Sequence, residues 1–300
     1  MNSAHSARYT LITFFLLFSL LAAAPLTGQQ SSSESEGNSS EQSEGEQSNL
    51  LRAYQRNFAR GNLSTKIQIL QDAGESGDGE MGDLYVQAVD FFLDNIDSLR
   101  DDATAKELAK LGAQLIGESR YREGIPRLWM LFERTDSIDL RVNVMNAFGK
   151  LLNPEDDVLE EIETWLQIQN GNFREGLEVN NQLVGEAITT LGRIGSPSSF
   201  DPLFTASVLG YSQQITERAK NALDSLSGNL SDLVIEVLRD GFPSEKLSAL
   251  EWAMEKEDFN AEQKGSIARV ALEEGLVRLS SAEESNKLRE LRFSAARHLT

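Results

Sequence analysis

Leu108-Ala-Lys-Leu-Gly-Ala-Gln-Leu115, Val144-Met-Asn-Ala-Phe-Gly-Lys-Leu-Leu152 and Ile188-Thr-Thr-Leu-Gly-Arg-Ile194 repeat one message. Each is an amphipathic helical stripe with a glycine inside it, at Gly112, Gly149 and Gly192. Each is followed by a loop and a second amphipathic stretch. A recurrence of roughly 30–45 residues made of helix pairs is the signature of stacked hairpins, none of which can bury its own apolar face alone. A glycine in a helix interior costs about 1 kcal/mol relative to alanine. Three at matching points imply a packing role, a bare Cα where a neighbouring helix crosses closely. No strand-turn-helix context or G-x-G-x-x-G spacing accompanies them, so they are not read as a phosphate cradle.

The helical period runs outward in both directions. Asp102 is placed as the N-cap of a first helix over 102–117, with Leu108, Leu111 and Leu115 on one face. Its partner covers 121–134 through Ile125, Leu128, Trp129 and Phe132, with Pro126 in the first turn where a missing N–H is tolerated. The next pair covers 137–152 and 154–168, with Asn153-Pro154 read as cap and first helical residue and with Val158, Ile162, Trp165 and Leu166 as the stripe. Further pairs cover 181–194 with 199–209, and 213–226 with 230–239. Flanking helices are expected over 50–60, 64–73, 82–98, 244–256, 260–276 and 281–299. The last opens on a capping box, Ser281-x-x-Glu284, and carries Leu288, Leu291, Ala295 and Leu299 on one side. Either it folds back as a cap or the array continues beyond Thr300, and the second is the expectation. Trp129 and Trp165 fall on the stripes and read as core. Trp252 is less determined.

The fold class is therefore all-α: an α-solenoid of stacked antiparallel helix pairs over residues 50–300, preceded by two segments of other kinds. Residues 1–28 read as a secretory signal peptide, with Arg8 ahead of the apolar run Leu11–Ala24 and cleavage placed after Gly28. That run makes a helix of about 21 Å against a hydrocarbon core of about 30 Å. A periplasmic or secreted location follows, with an uncleaved membrane-anchoring segment as the alternative. Residues 29–49 hold five glutamates, no basic residue and no apolar side chain, which reads as a disordered linker. Its r.m.s. reach as a coil is about 25 Å.

Composition narrows the chemistry. The formal net charge is −19, and loss of residues 1–28 removes only Arg8 among charged groups, so the remainder is more acidic still. Such a charge disfavours nucleic acid and anionic lipid as partners. The chain has no cysteine and only two histidines, His5 and His298, at opposite ends. Thiol chemistry is excluded, and a zinc site of ordinary composition lacks ligands. The acidic, glycine-rich stretch Asp72–Asp83 invites a calcium reading but lacks the order of an EF-hand loop. Glu160/Glu161 and Glu273/Glu274 are neighbours on a helix and point roughly 100° apart, so they do not converge on a substrate. No catalytic residue, cofactor or metal is assigned.

Ala187-Ile-Thr-Thr-Leu-Gly-Arg-Ile-Gly195, followed by Phe200-Asp-Pro-Leu-Phe204, resembles a HEAT repeat of the phycobilisome-lyase-like type, and Leu111-Gly112 with Ile125-Pro-Arg-Leu128 is similar. The resemblance covers about 102–226. The fourth unit departs from it, with Asp224 in the glycine's place and no early proline in its second helix. The resemblance implies an α-solenoid that serves as a binding surface, with bilin handling in a minority of relatives. The expected function is a non-catalytic scaffold for a protein or peptide partner. A bilin-lyase-like enzyme and a structural envelope component are the alternatives. The expected contact surface lies on the second helices, at Arg127, Met130 and Arg134 in one repeat and Glu160, Glu161 and Glu163 in the next.

Overall fold

The computed structural model describes residues 38–76, 81–277 and 281–299. The expected signal peptide, residues 29–37 of the expected linker, and residues 77–80 of the acidic loop lie outside the described residues. The chain divides into two units, Met1–Ser43 and Glu44–Thr300. Of the first, only the opening of a helix is described. The second holds the helical array.

Every regular element among the described residues is helical: α1 (Asn38–Arg60), α2 (Leu63–Ser76), α3 (Gly82–Asp94), α4 (Ile96–Leu99), α5 (Ala103–Glu118), α6 (Ile125–Arg134), α7 (Ile138–Leu151), α8 (Asp157–Arg174), α9 (Asn181–Ile194), α10 (Phe200–Val208), α11 (Gln213–Asp224), α12 (Ser231–Asp240), α13 (Pro243–Glu255), α14 (Ala261–Glu274) and α15 (Ala282–His298). They pack in neighbouring pairs, as the sequence pattern requires. The start signals act as expected where a side chain can reach an orphan N–H. Asp102 accepts from the Ala105 amide at 2.8 Å and Asn180 from the Leu183 amide at 3.0 Å. Asn260 and Gln263 cap each other's amides, both at 3.0 Å. Gly195 ends α9 at φ +70°, a left-handed conformation open to glycine at little cost.

Several boundaries differ from the expectation. α1 starts at Asn38, inside the stretch read as linker. The helix expected over 82–98 breaks at Asn95 (φ −113°, ψ 15°) into α3 and α4. α8 begins at Asp157 rather than at Pro154, because Asp156 takes the Asn153 amide at 2.6 Å and also pairs with Arg122, fixing residues 153–156 as a turn. It then runs on to Arg174, past the expected end at 168. The pairing also differs. From α5 to α13, where two helices follow one another in the chain, it is the even-numbered helix that packs on the odd-numbered one after it, α6 on α7, α8 on α9, α10 on α11 and α12 on α13. The α5–α6 and α9–α10 connections hold 3-10 turns at Arg122–Gly124 and Pro197–Ser199, and the α7–α8 connection holds the turn fixed by Asp156.

The glycines explain the odd-numbered layer, where α3, α5, α7, α9 and α11 pack side by side in order. A Cβ on Gly112 would lie 3.0 Å from the Tyr85 carbonyl oxygen and 3.1 Å from the Ala88 Cβ, both on α3. One on Gly117 would lie 2.8 Å from the Cα of Ala147 on α7, and one on Gly192 would lie 2.8 Å from the Cβ of Ala222 on α11. Gly149 is looser, facing the flexible Arg193 side chain at 3.2 Å. The seams are also stitched: Thr190, fully buried, donates its hydroxyl to the Met145 carbonyl at 2.7 Å, and Ser225 donates to the Gly192 carbonyl at 2.8 Å. Beyond α11 the packing changes hands. α10 meets α13, α13 meets α15, and an open depression of about 940 Å³ bounded by Lys220, Asp224 and Trp252 lies between α11 and α13. Asp224, which stands where the repeat has glycine, ion-pairs with Lys256 across that depression. α15 packs on α13 and α14 through Leu288, Leu291 and Ala295, whereas Leu299, expected on the same stripe, is exposed.

These distances separate the glycines by what an added methyl would meet. Gly117→Ala and Gly192→Ala push a Cβ onto a neighbouring backbone, and the overpacking costs about 1–3 kcal/mol, more than the roughly 1 kcal/mol of helix propensity gained. Gly171 in α8 and Gly265 in α14 have nothing within 4 Å, so their alanine variants gain the propensity alone. In urea melts the first pair should lower the midpoint and the second pair raise it.

Candidate functional site

α6 and α8 meet through large side chains, and this leaves open ground between them. Between α6 and α8 lies an aromatic groove of about 330 Å³. Its floor is Trp129 stacked on Phe132 (ring centroids 5.2 Å) and Trp165 edge-on to Phe132 (5.7 Å). Both tryptophans, expected in the core, are half-buried, because each presents one side to this groove. Ile168, one turn further along α8, is 55% exposed at its edge. Glu133 and Glu161 stand at the rim. Arg141 is tied down, its guanidinium 5.5 Å from the Phe132 ring and its Nε donating to the Phe132 carbonyl at 3.0 Å.

On the other side of α8 a cleft of about 450 Å³ opens between α8, α10, α12 and the start of α13. Its charged lining is Arg174, Asp201, Glu236, Asp240 and Glu245. Arg174 pairs with Glu245 and lies 4.2 Å from the centroid of the Phe242 ring, which is 51% exposed. Glu245 in turn accepts from the Phe242 amide at 2.9 Å, fixing the start of α13. Asp201 accepts from Gln167. Although Asp201 keeps an accessible edge, the protein around it displaces enough water to raise its pKa, and Glu245 raises it further, against the opposing pull of Gln167 and Arg174. The cleft wall is anchored by Asn170, which is 1% exposed. Its amide donates to the Pro202 carbonyl at 2.9 Å and its oxygen accepts from the Tyr211 hydroxyl at 3.2 Å. Tyr211 also stacks on Phe173 at 3.9 Å, and burial pushes its hydroxyl pKa up to about 12.

The six residues expected to form a contact surface are divided by this geometry. Arg127 turns back to α3 and pairs with Asp90 at 2.9 Å. Met130 packs against the core. Glu163 accepts from Ser198 at 2.7 Å and Ser199 at 2.6 Å, holding the turn before α10. Arg134, Glu160 and Glu161 are exposed, and of these Glu161 lines the groove. Asp201, Glu236, Asp240, Phe242 and Ile168 were not singled out from the sequence. Two signals were present: Ile168 is an apolar residue off the stripe of α8, and Phe242 is an aromatic held between Gly241 and Pro243.

Among the described residues no group of three or more His, Asp or Glu is placed to hold a metal ion, and no helix is long and apolar enough to cross a membrane. Asp72 and Asp83, from the loop weighed for calcium, accept from Gln68 at 2.8 Å and from Tyr121 at 2.5 Å. No protein-family model matches the chain, and no curated protein sequence matches it.

Asn170 gives the site a structural control. Asn170→Ala removes its bonds to the Pro202 carbonyl and the Tyr211 hydroxyl, leaving that hydroxyl only the Gln169 carbonyl at 3.3 Å, at a cost of about 1 kcal/mol for each bond lost. The expected readout is a lowered urea midpoint together with a fall in the Tyr211 pKa as the wall loosens, followed by absorbance titration of tyrosine.

Proposed function

We propose that the protein is an exported, non-catalytic α-solenoid of HEAT type whose even-numbered helices capture a protein or peptide partner. The observation that carries this reading is the position of two open recesses, one aromatic and one acidic, on opposite sides of the single helix α8. An isoleucine and a phenylalanine more than half exposed beside carboxylates form the mixture of apolar anchor and polar rim found where proteins meet. The side-by-side order of the odd-numbered helices supports the solenoid, since each unit rests on its neighbours. Export rests on Arg8 and the apolar run Leu11–Ala24. The HEAT type rests on the glycine and proline positions of residues 102–226.

A photo-crosslinking residue placed at Glu161 or Glu236, both exposed on the even-numbered layer, should give discrete adducts in the cells that make the protein. The same residue at Glu107 or Gln182, exposed on α5 and α9, should give none. Adducts of equal yield from both layers, or none from either, would contradict the assignment.

A further inference from the structure

We infer that the partner's contacting segment is a cationic stretch of polypeptide that seats a large apolar side chain in the groove of Trp129, Trp165 and Ile168. This rests on the scaffold reading and narrows it. The groove selects the anchor. Its floor is three aromatic rings, and Ile168 leaves more than half of its surface in water beside them. Seating one apolar side chain there removes several such surfaces from water together.

Charge selects what flanks the anchor. Two carboxylates, Glu133 and Glu161, rim the groove, and the guanidinium of Arg141 is already engaged with Phe132. In the adjoining cleft the only cation among the lining residues, Arg174, is spent on Glu245. Asp201, Glu236 and Asp240 remain to draw positive charge. The same field turns away the two occupants nearest at hand. A second copy of this chain carries net charge −19, and the chain's own residues 29–49 hold five glutamates and no basic residue.

A random-peptide display library panned against the intact protein tests this, with enriched peptides then synthesised and titrated singly. Enriched sequences should be net positive, with a large apolar residue flanked by lysine or arginine. Their affinity should fall as salt is raised. Ile168→Asn and the double variant Glu236→Lys/Asp240→Lys alter exposed side chains, so the helical circular dichroism should be unchanged while each weakens binding by about tenfold or more. Enrichment of neutral or acidic peptides, or binding that both variants leave unchanged, overturns the cationic segment and leaves the scaffold standing. Failure of any peptide to enrich overturns both.

Discussion

At Gly112, Gly117 and Gly192 the odd-numbered helices approach too closely for a side chain on the glycine, and the array is held by that approach. At Gly117 against Ala147 and Gly192 against Ala222 there is no room for even a methyl group on the glycine, which packs directly on an alanine of the next helix. Contact at that range brings backbone into dispersion contact over a whole turn. It also lets short side chains reach the next helix, as Thr190 reaches the Met145 carbonyl. A fully buried hydroxyl is tolerable there because it is bonded. The same closeness fixes register: a slip along either helix would set a larger side chain against the gap.

That tight layer has a looser counterpart, and the contrast creates the functional surface. The odd-numbered helices meet through glycine and alanine, whereas α6 and α8 meet through Trp129, Phe132 and Trp165. The large rings stand between α6 and α8, and the aromatic groove is the space that remains there. Carboxylates divide between two tasks on this layer. Asp156, Glu163 and Glu245 fasten turns and helix starts to their neighbours. Glu133, Glu161, Glu236 and Asp240 face solvent around the recesses. The acidity of the chain is thus partly internal adhesive and partly recognition field.

The seams at Gly112 and Gly192 were legible in the sequence, because a costly residue at repeated positions has few explanations, whereas Gly149 on the same pattern meets only the flexible Arg193 side chain and the tight seam at Gly117 lies off it. The helix after Asn153-Pro154 was misplaced because the signal for a cap and first turn is local, while the actual turn is held by Asp156 and by Arg122 some thirty residues away. The contact surface was legible only as a layer. Periodicity places Arg127 and Glu163 on outward positions, yet it cannot show that Asp90 or the serines of the next turn lie within reach of them. Ile168 and Phe242 escaped for the opposite reason. They break the pattern, and a single residue off the stripe becomes informative only once its neighbours in space are known.

The seam between Gly192 and Ala222 is where the stacked layer can be put to experiment. In a double-mutant cycle with Gly192→Ala and Ala222→Gly, urea melts would give the cost of the first substitution in both backgrounds. Close backbone contact predicts that Gly192→Ala is less damaging by about 1 kcal/mol when residue 222 has no Cβ, the size of coupling expected of directly touching residues. Equal costs in the two backgrounds would mean that the helices are not in contact there, and the stacked layer on which everything else is built would be wrong.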